Sequence, residues 1–81
     1  MPLEKWVGRF LIDEGERLVK TAEEMRMQYV SHQARNILLR VAAIRERRGR
    51  ELIRIGGEGT SKEKQKALDE VTGGPAGTLS T

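Results

Sequence analysis

Between Ala22 and Ile55 the chain carries no proline and a single glycine, Gly49. Over the same stretch Met27, Val30, Ala34, Ile37, Val41 and Ile44 recur at alternating steps of three and four. A backbone without breakers stays helical, and this spacing lays an apolar stripe along a helix that packs lengthwise on another. Uninterrupted, the stretch would make a helix about 51 Å long. Leu18, Ala22, Met25 and Tyr29 follow a different line, and Ser31, His32, Gln33, Arg35 and Asn36 crowd the point where the register shifts. The sequence therefore leaves two readings open, one long helix or two helices with a kink or turn near residues 31–36.

The flanking segments read as helices too. Leu3, Trp6, Val7, Phe10 and Leu11 have helical spacing, so a first helix starts at Pro2 or Leu3. Glycine costs about 1 kcal/mol inside a helix, so that helix is expected to weaken at Gly15. Thr21 with Glu24 matches a capping box where it could restart. Gly56, Gly57 and Gly59 are expected to end the long helix by supplying positive φ. Thr60 with Glu63 matches a second capping box, opening a short helix through about Val71. The expected fold class is all-α: a long helical hairpin or three-helix arrangement with a short C-terminal helix. Residues 1–72 form a single helical domain, and residues 73–81 form a disordered tail.

An 81-residue chain buries only about 60% of its unfolded surface, so its own core is small. Cysteine is absent and His32 is the one histidine, which removes disulfides and zinc as supports. Self-association, or residence in a larger complex with protein partners, is the expected remedy. The Val41–Ile44 run is too short for a membrane span, no secretory leader is visible, and a cytoplasmic location is expected.

Charge is segregated. Residues 1–25 carry a net −2, residues 26–54 a net +6 and residues 55–81 a net −1. The positive field comes from Arg35, Arg40, Arg45, Arg47, Arg48, Arg50 and Arg54, all near the apolar stripe. Guanidinium binds phosphate and carboxylate as a planar fork, so these arginines are the expected surface for nucleic acid or an acidic partner. Glu46–Arg50 and Glu51–Arg47 stand at i,i+4 and can neutralise part of the field. Arg48 falls in the apolar series between Ile44 and Leu52, where it needs a carboxylate or marks the end of the seam. The expected packing and oligomer seam comprises Ile37, Val41, Ile44, Leu52 and Ile55, anchored by Trp6 and Phe10.

Catalysis finds little support. His32 has no evident acid–base partner, and Asp13, Glu14 and Glu16 do not follow a calcium-loop spacing. The glycine run into Lys62 lacks the G-x-x-x-x-G-K-S/T spacing of a phosphate loop, and Glu58 would repel phosphate there. The expectation is a non-enzyme without cofactor, metal or small-molecule substrate.

The run Asn36–Leu39, then Arg45, Arg47, Arg48 and the stretch Arg50–Ile55, precedes a loop and Thr60–Lys64. Over residues 22–72 this order resembles the α-helical domain of GINS replication-complex subunits, especially the archaeal type. There a basic helix end precedes a short charged helix. Two features depart from the pattern: the family's small β domain has no counterpart, and Glu51 stands where a basic residue is usual. The resemblance implies a non-catalytic scaffold subunit that binds sister subunits and a replicative helicase near DNA. The residues themselves support an adaptor in a nucleic-acid-processing complex, with a stand-alone, dimeric DNA- or RNA-binding protein as the alternative.

Overall fold

A computed structural model describes residues 3–73, with side chains from residue 5 onward. The elements are α1 (Leu3–Met27), α2 (His32–Glu58) and α3 (Ser61–Val71). Among the described residues every regular element is a helix. The expected tail lies outside them, except for Gly73.

Two helices, not one, occupy the glycine-poor stretch. α1 ends at Met27, and Gln28–Ser31 form the connector. Ser31 caps α2, its Oγ accepting from Ala34 N at 3.3 Å. Serine satisfies an N–H that a helix start leaves open, so the polar crowding near residue 31 is an N-terminus. The series Met27 to Ile44 is thereby divided among α1, the connector and α2.

α1 and α2 form an antiparallel hairpin, and small residues line its contact. Gly8, Gly15 and Ala22 recur every seven residues on α1, as do Ala42, Gly49 and Gly56 on α2, and all six are buried. A Cβ at Gly8 would lie 2.7 Å from the Gly56 carbonyl oxygen, and one at Gly49 would lie 2.6 Å from that of Gly15. Only hydrogen at these positions lets the backbones approach so closely. α1 therefore passes unbroken through Gly15. Thr21 does not restart it either, because its hydroxyl donates to the Arg17 carbonyl at 2.8 Å within the same helix.

Gly56 and Gly57 likewise belong to α2, and Gly59 has φ −71°. The expectation of positive φ there is overturned. The chain leaves α2 in extended backbone while Gly59 N donates to Ile55 O at 2.8 Å. Among the described residues, only Gly73 has a positive φ, 94°. The second capping box forms as the sequence predicts. Glu63 N donates to Thr60 Oγ1 at 3.2 Å, and Thr60 N donates to Glu63 Oε1 at 2.9 Å.

α3 closes the base of the hairpin. Val7, Leu11, Leu52, Ile55 and Ala67 are buried together, with Phe10, Leu18, Leu68 and Val71 packed against them. At 1.5 Å per residue α3 is about 16 Å long against about 40 Å for α2, so among the described residues no third helix covers the tip half of that flank.

Candidate partner-binding face

The seam residues fall into two groups. Leu52 and Ile55 are buried, Val41 and Phe10 are half-buried, but Ile37 is 67% and Ile44 65% exposed. Trp6 is 56% exposed and stacks on Phe10, ring centroids 6.0 Å apart. Ile37, Ile44 and Trp6 are thus not intramolecular core. The 3–4 stripe on α2 is real, but the line facing α1 is Ala42–Gly49–Gly56, displaced round the helix. A glycine–alanine line is nearly invisible to hydrophobic periodicity, and this is why the stripe with larger side chains was the legible one. Its signal was the seven-residue repeat of small residues in both helices.

The seven arginines do not share a face. Arg40, Arg47 and Arg54 repeat every seven residues and are exposed. Arg47 stands five residues after Ala42, about 140° round the helix from the α1 contact. Arg40 and Arg47 have no carboxylate partner among the described residues. Arg54 has Glu63 near enough to be one of the causes lowering that carboxyl. Arg45 is exposed on the flank nearer α3, and Arg35, though on the Ala42–Gly49 line, lies past the end of α1 and faces solvent.

Two arginines have structural duties. Arg48 Nη2 donates to Glu70 Oε2 at 2.8 Å, tying α3 to α2. Its position in the apolar series is thereby explained, because it sits where α3 begins to cover that flank. Arg50 Nη2 donates to Glu46 Oε1 at 3.4 Å, as the i,i+4 spacing predicts, whereas Glu51 and Arg47 do not pair. Arg26, which the sequence did not single out, is the stronger partner of Glu46. Its two terminal nitrogens donate to the two carboxylate oxygens at 3.2 and 3.1 Å, joining α1 to α2 near the tip. This bidentate pair holds the Glu46 carboxyl below the usual carboxylate range. The Thr60 N–H does the same for Glu63.

On α1 the exposed carboxylates Glu16, Glu23 and Glu24 alternate with Arg17 and Lys20, while Asp13 pairs with Arg9 at 3.4 Å and Glu14 with Arg17. Both α1 and α2 thus carry exposed charge, and among the described residues Arg40, Arg45 and Arg47 of α2 form no ion pair. Between α2 and α3 a cleft of about 190 Å³ is lined by Arg48, Arg54 and Lys66 and equally by Glu51, Glu63 and Glu70. Balanced charge gives it no preference for an anion. His32 is exposed at the start of α2, and Ser31 is occupied as a cap. No helix among the described residues is long and apolar enough to cross a membrane. No family model, curated protein or solved structure matches the chain.

Proposed function

We propose that this protein is a non-catalytic helical adaptor, a small subunit of a nucleic-acid-processing complex. It presents the outer arginines of α2 to an anionic partner. The observation that carries this reading is that Arg40 and Arg47 point away from α1 and, among the described residues, have no carboxylate partner. Cations left unpaired on a rigid helix are poised for phosphate or carboxylate at little ordering cost. The hairpin supplies the rigidity, since its closely approached backbones allow little sliding. The resemblance to the GINS helical domain extends the proposal to DNA replication.

The test is fluorescence anisotropy with labelled single- and double-stranded DNA and with RNA at two salt concentrations. The Arg40→Ala/Arg47→Ala/Arg54→Ala variant should bind about tenfold or more weakly. It should also show a log–log salt slope shallower by about 0.9 per lost phosphate contact on duplex DNA. Equal binding by variant and parent would sink the row as the anion surface.

The alternative, a stand-alone nucleic-acid-binding protein, draws on the repeat itself. A seven-residue step puts successive arginines about 10.5 Å apart along one face of α2, a row of fixed cations that can meet phosphates without a partner protein. Tight, salt-sensitive binding by the purified protein alone would favour it.

A further inference from the structure

The flank of α2 that α3 begins to cover continues beyond it, and its chemistry specifies what completes the layer. From the tip towards α3 the exposed or half-buried positions Ala34, Ile37, Val41 and Ile44 keep a 3–4 spacing. The stripe stops at Arg48, which α3 engages through Glu70. Arg40 and Arg47 border it on the outer side and Arg45 on the inner side, all exposed and, among the described residues, without carboxylate partners. An apolar stripe between two basic margins is half of a helix–helix interface.

We infer that this stripe is the docking site for an amphipathic helix of another protein, one whose apolar seam is flanked by Asp or Glu. It would lie on α2 in line with α3. The inference rests on the adaptor reading and names the class of its anionic partner. α3 shows the required pattern within the chain, with Ala67, Leu68 and Val71 on the core and Glu70 on Arg48.

Charge argues against a second copy. Pairing two α2 stripes, parallel or antiparallel, sets Arg40, Arg45 and Arg47 against the same arginines, and like charges across a seam repel. α1 cannot take the place of the partner helix. Its exposed surface over residues 9–24 is Arg9, Asp13, Glu16, Arg17, Lys20, Glu23 and Glu24, without an apolar stripe. Residues 74–81 carry no carboxylate side chain. An anionic membrane would suit the charge, but this stripe is one seam wide and lacks the aromatic residues of interfacial helices.

The test uses two designed helical peptides with the same leucine seam, one flanked by Glu and one by Lys. The Glu-flanked peptide should bind the protein, and the Ile37→Ser/Ile44→Ser variant should lose more than about tenfold in affinity. Both isoleucines are exposed, so unchanged helicity by circular dichroism verifies the variant's fold. Arg45→Glu/Arg47→Glu should reject the Glu-flanked peptide and accept the Lys-flanked one. No binding, or binding indifferent to Ile37 and Ile44, overturns the proposal. So does a dimer in sedimentation equilibrium that Ile44→Ser dissociates. Capture by phosphatidylserine vesicles with no peptide binding overturns it as well. If the peptide fails while the Arg40/Arg47/Arg54 variant still loses nucleic acid, the arginine-row reading survives and the docking proposal alone falls.

Discussion

A methyl group at Gly15 would run into the Gly49 carbonyl and lie 2.7 Å from Ile53 Cγ1, whereas one at Gly57 would meet nothing within 4 Å. Both residues are helical, so the same substitution should have opposite effects. Gly15→Ala and Gly49→Ala should each destabilise by about 1–3 kcal/mol, the usual cost of overpacking a contact that cannot relax cheaply. Gly57→Ala should stabilise by about 0.4–1 kcal/mol, because alanine has fewer unfolded conformations to lose. Urea denaturation midpoints of the three variants decide this, and a stabilised Gly49→Ala would show that the backbones are not pressed together. Gly15 read from sequence alone is a weak point because helix propensity concerns one residue at a time. Its value here belongs to a pair, visible only when Gly8, Gly15, Gly49 and Gly56 are seen to recur by sevens.

Local signals were legible and distant ones were not, as the ends of the helices show. The Thr60–Glu63 box needs only four consecutive residues and forms as its sequence implies. The same pattern at Thr21–Glu24 is overridden because Ala22 is fully buried between the helices, which keeps α1 running. The clasp between Arg26 and Glu46 joins residues 20 apart, and no spacing rule reaches it. Similarly, the exposed α2 stripe was legible as a stripe, but which side of it met α1 depended on the small residues beside it. α3 is short and meets the hairpin through a few buried side chains and contacts such as the Arg48–Glu70 ion pair, so it should open before the hairpin does. Thr60→Ala removes its cap and should lower the opening free energy of α3 by about 1 kcal/mol. Native-state hydrogen exchange should then speed up at amides of residues 64–71 while those of α1 and α2 that exchange by global unfolding change less. A uniform change across all three helices would mean that α3 is not a separate unit.

Two carboxylates act at the scale of the whole molecule. Glu46 joins α1 to α2 near the tip through Arg26, and Glu63 caps α3 at the base. Both carboxyls titrate below their ordinary range in the folded protein, Glu46 through its hydrogen bond to Arg26 and Glu63 through the Thr60 N–H. In the unfolded chain they return to about pH 4.3. As pH falls, the unfolded chain therefore takes up these protons first. The stabilisation is complete above the unfolded value and drains away as pH drops through it towards the lower folded values. The melting temperature should hold level from pH 7 to about 5 and fall below about 4.3. Glu46→Gln should melt earlier than the parent at pH 7, because Arg26 loses its charged partner, and should show a shallower acid decline. Salt should narrow the neutral-pH gap, since both side chains are partly exposed. Thermal melts of the two proteins between pH 7 and pH 3 provide the comparison. Parallel curves with the same acid slope would show that ionisation of Glu46 adds nothing to stability, leaving the small-residue contact and not the Arg26–Glu46 charge pair to hold the hairpin.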